Sequence, residues 1–253
     1  MYRSQLANVY QHITQGNRAG VHAGLWLDKY MGDNEKSTTR AELVEQVATM
    51  QPSELYKAFY QRWQAALEQE HHIKLGHARV LGRMAVGLGE ESVLETAIAL
   101  HHTYGVPYIP GSALKGLAAS YAHQRLGSVW RRGSEAHTAL FGTTDTAGFI
   151  IFLDALYIPG TGYNKQALYP DVITVHHQQY YQGNGEPTDR DQPVPVPFLS
   201  ATGTYLIALS APNLDEPAAW LTQTFTILQH ALRDFGIGAK TSSGYGRMEL
   251  RGV

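Results

Sequence analysis

The residues best suited to chemistry lie near the C-terminus, in Phe235-Gly236-Ile237-Gly238-Ala239-Lys240-Thr241-Ser242-Ser243-Gly244-Tyr245-Gly246-Arg247. Four glycines let a main chain come within hydrogen-bonding distance of a ligand, and successive amides in such a turn form a nest for anions. Lys240 adds a point charge, Thr241, Ser242 and Ser243 add hydroxyls, and Tyr245 offers a ring that can stack on a base or ribose. Together these suit a phosphodiester backbone. The competing reading is a tight turn that merely carries surface hydroxyls. ATP is not the expected ligand, because a P-loop places glycine directly before its lysine, in G-x-x-x-x-G-K-[ST]. Here Ala239 precedes Lys240, Asp234 stands where the first glycine would be, and the loop runs from helix to strand.

A second candidate is Tyr108-Ile109-Pro110-Gly111-Ser112-Ala113-Leu114-Lys115-Gly116. Gly111, Ser112, Lys115 and Gly116 would sit at a helix start, where free amides and the helix dipole favour phosphate. Ser112 is the expected cap. Lys115, one turn in, points either to RNA or to solvent.

Histidines are the other reactive group. The chain has 12, among them the pairs His71/His72, His101/His102 and His176/His177. A metal-independent ribonuclease needs a general base near a 2′-hydroxyl, a role that suits histidine. Neighbours on a strand point to opposite faces, so His176 or His177 would reach RNA from an expected strand edge, as contacts more than as catalysts. Asp28 and Asp33 lie near a loop, and Asp154, within a very apolar run, reads as structural. The chain has no cysteine and no H-x-x-x-H pair, so neither a metal site nor a cofactor is expected.

Lys+Arg 20 against Asp+Glu 22 gives a net charge of −2, unlike a free-standing basic RNA binder. The charge is uneven. Ser112 to Arg132 contains Lys115, Arg125, Arg131 and Arg132 and no acid; His71 to Gly89 contains Lys74, Arg79 and Arg83 and no acid. Bound phosphate responds to the local field, so Arg79, Arg83, Arg125 and Arg247 join the candidates. With 43% hydrophobic residues, the chain can bury a sizeable core. Neither a membrane span nor a signal peptide is expected, and the protein reads as cytoplasmic.

The elements that must position these groups follow from periodicity. Residues 1–75 read as a helical N-terminal extension. Within it, Thr39 to Glu42 has capping-box spacing, Pro52 opens a helix, and Leu55, Phe59, Trp63 and Leu67 form one buried stripe. Residues 76–253 read as a second domain. It has strands at 78–89 and 92–102, a helix from Ser112 with Leu114, Leu117, Ala118 and Tyr121 inward, and apolar strands at 148–158, 171–181 and 198–212. Pro217 opens a long helix with Leu221, Phe225, Leu228 and Leu232 on one face, Gly236 ends it, and residues 246–253 form a last strand. The core order is strand, helix, strand, strand, helix, strand. The expected class is α+β, ferredoxin-like (RRM-like), with inserted hairpins and one sheet face open to single-stranded RNA.

GIGAKTSSGYGRM, residues 236–248, resembles the C-terminal Gly-rich motif of the RAMP superfamily of CRISPR proteins, and residues 108–122 resemble that superfamily's loop-to-helix segment. Residues 84–116 and 197–209 look most like the sixth-subunit family of the type III-B (Cmr) effector complex. The likeness covers about residues 79–251, with separate motifs in the right order. It implies a non-catalytic RNA-binding subunit near the end of a helical backbone, contacting the 3′ portion of the guide RNA and the target RNA. Its partners would be other RAMP subunits, and target cutting would belong to a neighbouring backbone subunit. The alternative is a metal-independent endoribonuclease that processes repeat RNA.

Overall fold

The computed structural model describes residues 20–29, 37–89, 96–175 and 194–253. Its centre is an antiparallel sheet built on β1 (Ile73–Val80) and β7 (Thr204–Ser210). On one side of this pair β8 (Met248–Gly252) joins β1. On the other, β7 holds β3 (Ile151–Phe152) and β4 (Ala155–Tyr157), and β4 pairs with β2 (Tyr108–Ile109). With α4 (Gly111–Arg125) and α6 (Pro217–Asp234), the core runs β1, α4, β3/β4, β7, α6, β8, the expected α+β order.

Helix α6 covers β1, β7 and β8 and packs along α4. Its predicted apolar face, Leu221, Phe225, Leu228 and Leu232, is buried as expected. Contact with the sheet is close: a Cβ added at Gly76 would lie 2.5 Å from Phe225 Cζ. The chain then turns at Gly236, where the amides of Phe235 and Gly236 both donate to the Ala231 carbonyl, at 2.9 and 3.1 Å.

The sheet face expected to be open for RNA is covered at its centre and stays partly open at the β1–β8 edge, where Arg79 and Arg251 are exposed. Every residue of β7 after Thr204 is buried; since alternate side chains point to opposite faces, both faces are covered there. Helix α3 (Glu54–Glu68) packs on β1, and the hydroxyl of its Tyr56 donates to the Tyr157 carbonyl at 2.6 Å. The buried stripe of α3 is Tyr56, Tyr60 and Leu67, with Phe59 and Trp63 packed beside it and Leu55 exposed. The stripe is rotated from the expected one onto two tyrosines, of which Tyr56 has its hydroxyl satisfied while that of Tyr60 is buried with no partner among the described residues. Ser53, not Pro52, starts this helix, its Oγ accepting from the Tyr56 amide.

A second, smaller cluster lies against the hairpin of β5 (Leu168–Val175) and β6 (Val194–Ala201). Trp26 and Leu27 of α1 (Ala23–Lys29) and Leu43, Val44 and Val47 of α2 (Ser37–Ala48) bury themselves with Leu168 and Leu199. Helix α2 begins two residues before Thr39, so the expected capping box falls inside the helix.

Four strand expectations change. The strand expected at 78–89 lies instead at Ile73–Val80, and residues 81–89 add only the isolated bridge of Met84 with Ala201. The apolar run at 148–158 breaks at Leu153 and Asp154, giving β3 and β4. The run at 198–212 breaks at Thr202 and Gly203 and feeds two different sheets. In the expected strand at 92–102, the described residues make only an isolated bridge, Leu100 to Pro107; residues 90–95 lie outside the described set. No helix among the described residues is long and apolar enough to cross a membrane.

Candidate nucleic-acid interface

The Gly-rich loop after α6 folds onto residues 81–86, which run between it and the β5–β6 hairpin. Met84 exchanges backbone hydrogen bonds with Ala201 at the end of β6, at 2.9 and 2.7 Å. The carbonyls on either side face the loop, that of Arg83 accepting from the Gly246 amide and that of Ala85 from the Ala239 amide, each at 2.7 Å. Gly238 (φ +85°) and Gly246 (φ +71°) occupy the left-handed region. A Cβ on Gly238 would overlap the Ala85 carbonyl oxygen, and one on Gly246 the Ile237 carbonyl oxygen. These two glycines therefore serve contact between the protein's own backbones, where the sequence suggested approach of a ligand.

Amide by amide, the nest is smaller than expected. The N–H groups of Ile237, Ala239, Ser243, Gly244, Tyr245 and Gly246 all donate within the protein. Those of Lys240, Thr241 and Ser242 have no acceptor among the described residues. Lys240 itself is left-handed (φ 57°), followed by a 3₁₀ turn over Thr241–Ser243. This alternation of left- and right-handed backbone aims successive amides at one point. Lys240 and Thr241 are half-buried, and Ser242, Ser243 and Gly244 are exposed. Lys240 has no ion pair among the described residues.

Tyr245 is not free to stack on a base. Its hydroxyl donates to Asp171 Oδ2 at 2.6 Å, and its half-buried ring leans on Phe198. Arg83 grips the same oxygen, with Nη1 2.7 Å away, and lays its guanidinium over the Tyr169 ring at 4.2 Å. Burial opposes ionisation of Asp171. The hydrogen bonds from Tyr245, Arg83 and the Val172 amide outweigh it, holding the carboxyl below its ordinary value. Burial, and then the Asp171 carboxylate, push the Tyr245 hydroxyl up to about 12. The clamp ties the loop to β5 and was not visible in the sequence.

The other expected cations divide. Arg79 pairs with Glu249 at 3.2 Å, and Arg247 donates to the Arg233 carbonyl at 2.8 Å, at the end of α6. Lys115 has no acidic partner among the described residues. At the start of α4, Pro110 is the cap rather than Ser112. Asp154 Oδ1 accepts from the Gly111 amide at 2.7 Å, and the Pro110 carbonyl accepts from the Ala113 and Leu114 amides. A carboxylate thus already occupies the helix N-terminus. A Cβ on Gly111 would overlap the Phe152 carbonyl oxygen, so this glycine also serves packing. Ser112 and Gly116 are exposed and Lys115 is half-buried.

Of the histidine pairs, His176 and His177 lie outside the described residues. His101 sits among Phe59, Tyr104 and Tyr108, and burial lowers its pKa. Among the described residues, no three histidine or carboxylate side chains converge on a point that could hold a metal ion.

Residues 77–249 match the RAMP superfamily, a span that runs from β1 through the Gly-rich loop into β8. The chain belongs to the RAMP superfamily. Within it, the chain is 30% identical to the CRISPR system Cmr subunit Cmr6 of Pyrococcus furiosus, over 77% of this chain and 73% of that one. It is 26% identical to the CRISPR system CMR subunit Cmr6 of Saccharolobus solfataricus, over 68% of this chain and 54% of that one. A chain in the solved type III-B Cmr-beta complex bound to cognate target RNA superposes with a TM-score of 0.68, covering 95% of this RAMP protein and 94% of that chain. At 17% identity that likeness is one of fold.

Proposed function

We propose that this RAMP protein is a non-catalytic RNA-binding subunit of a type III-B CRISPR effector in the cytoplasm, contacting the 3′ portion of the guide RNA and the target RNA beside sister RAMP subunits. The supporting observation is the Lys240–Ser242 turn, where three successive amides lie beside a lysine, none of them with a partner among the described residues. Kinship with Cmr6 supplies the assembly. Backbone contacts of this kind carry affinity without sequence preference.

Purifying the tagged protein from its native cells tests the reading. Guide RNAs derived from repeats, together with other RAMP subunits, are expected to co-purify; a lone protein without guide RNA would sink it. Lys115→Ala combined with Lys240→Ala is expected to flatten the log-affinity against log-salt slope for single-stranded RNA by roughly 1.4, at about 0.7 per phosphate contact. A salt titration in which the slope stays put removes both lysines from the interface. Cleavage of repeat RNA by the isolated chain, lost in a His176→Ala or His177→Ala variant, would favour the nuclease alternative.

A further inference from the structure

Between β4 and β5 the chain makes a turn, residues 158–167, that its neighbours hold firmly. The Gly162 amide donates to the Tyr157 hydroxyl at 3.0 Å, and the Tyr163 amide to Thr202 Oγ1 at 3.2 Å. Thr202 Oγ1 in turn donates to the Gln166 carbonyl at 3.0 Å. Thr161 Oγ1 donates to the Ile158 carbonyl at 2.7 Å and accepts from the Thr204 amide at 2.9 Å. A Cβ on Gly162 would overlap the Gln166 carbonyl oxygen, so the turn closes tightly on itself.

This fixed turn presents an aromatic ring to solvent. Tyr163 is 61% exposed, with Asn164 and Lys165 exposed beside it. Asn164 (φ 51°) and Lys165 (φ 64°) are both left-handed, a conformation that residues with a Cβ seldom adopt. Among the described residues, the one other non-glycine residue with positive φ is Lys240. Such strain persists where the surrounding structure imposes it, and it clusters at ligand sites. Lys165 has no acidic partner among the described residues, and residues 155–170 contain no acid.

Side-chain contacts join this turn to the Gly-rich loop. The Tyr163 ring meets Tyr169 edge-on at 5.6 Å, and the Arg83 guanidinium lies over Tyr169. Arg83 and Tyr245 share Asp171 Oδ2, and the Tyr245 amide donates to the Lys240 carbonyl at 3.3 Å. Tyr169 is thus covered and Tyr245 tied down, which leaves Tyr163 as the ring exposed for stacking.

We propose that Tyr163 and Lys165 form a stacking subsite for single-stranded RNA, Tyr163 taking the face of a base and Lys165 a phosphate. It rests on the RNA-binding reading above and adds to it a place for a base. Single-stranded nucleic acid is the ligand class that offers π-faces and anions in alternation. The surroundings speak against a protein contact. Gly160, Thr161, Asn164 and Lys165 are all exposed, whereas the centre of a protein interface is apolar and poor in lysine. The other exposed aromatic among the described residues, Phe149, shows the contrast. It meets Trp220 edge-on at 6.0 Å, in a groove shared with Val129 and with Ala136 and Ala139 of α5 (Glu135–Phe141).

The test is a salt titration of mixed-sequence single-stranded RNA with the full chain and three variants. Tyr163→Ala is expected to weaken binding roughly 5- to 150-fold, the loss of one base stack, with the log-affinity against log-salt slope unchanged. Tyr163→Phe keeps the ring and should keep the affinity. Lys165→Gln should instead reduce the slope by about 0.7, one phosphate contact. Equal losses in the alanine and phenylalanine variants would show that the ring face is not what binds, and the stacking argument fails. Wild-type affinity in Tyr163→Ala and a wild-type slope in Lys165→Gln, with a reduced slope in the Lys115/Lys240 variant, overturn this site alone. If Tyr163→Ala binds RNA normally yet fails to assemble with sister subunits, the ring is a protein contact and the inference is wrong. A wild-type chain with no salt-dependent RNA affinity removes the RNA-binding reading and this site together.

Discussion

Gly246→Ala is expected to lower the unfolding free energy by about 3–5 kcal/mol, read as a drop in the urea midpoint. The left-handed backbone at φ +71° costs a residue with a Cβ roughly 1–2 kcal/mol. The new methyl would also overlap the Ile237 carbonyl oxygen and lie 2.9 Å from the Ile237 nitrogen. Relieving that overlap strains two hydrogen bonds, Ile237 N–H to the Gly246 carbonyl at 2.9 Å and Gly246 N–H to the Arg83 carbonyl at 2.7 Å, each contributing about 1 kcal/mol. For a domain stable by about 5–15 kcal/mol this is a large fraction. Gly244→Ala is the internal control: it shares a positive φ (+89°), but nothing lies within 4 Å of its added Cβ, so only the conformational cost of about 1–2 kcal/mol applies. Equal losses at the two positions would sink the packing account. If RNA affinity fell in Gly246→Ala while stability held, the glycine would instead serve a ligand.

What could be read from the sequence was what repeats or terminates locally. The inward face of α6 is four apolar residues at helical spacing, and its end is a glycine that takes a positive φ; both belong to the α6 segment itself. The order of core elements followed from such runs. What escaped was set by residues far apart in the chain. Asp171 meets Tyr245 across 74 positions, and Asp154 meets the Gly111 amide across 43. Nothing near either aspartate signals its partner. The stripe of α3 was read through Leu55, whereas its buried rings, Tyr56 and Tyr60, carry hydroxyls that apolar periodicity passes over. In the loop, glycine content identified a close backbone approach correctly but not what approaches: a neighbouring strand segment takes the place assigned to a ligand.

The clamp carries the other large effect. Asp171→Ala is expected to destabilise the fold by about 2–3 kcal/mol. The hydrogen bonds from Tyr245 and Arg83 to the charged carboxylate contribute about 1.5–3 kcal/mol each, but the Arg83 side chain is 39% exposed and can turn to water, which removes part of that. The sign with pH follows from the lowered carboxyl: this stability is fully present above the ordinary aspartate range and is lost as pH falls through the folded value. Tyr245 adds the mirror case, since its raised hydroxyl favours the fold below about 10 and that support fades as pH climbs toward about 12. Tyr245→Phe should therefore cost less than Asp171→Ala, and the pair should be non-additive because both remove one shared hydrogen bond. Hydrogen exchange gives the readout that separates a clamp from a general loss of stability. In Asp171→Ala, the Ala239 and Gly246 amides should exchange faster relative to amides of the β1–β7 ladder, since the loop and the hairpin are no longer joined through the carboxylate. If protection falls uniformly, Asp171 is an ordinary buried acid; if loop amides alone open, the residue couples the hairpin to the turn that presents Lys240.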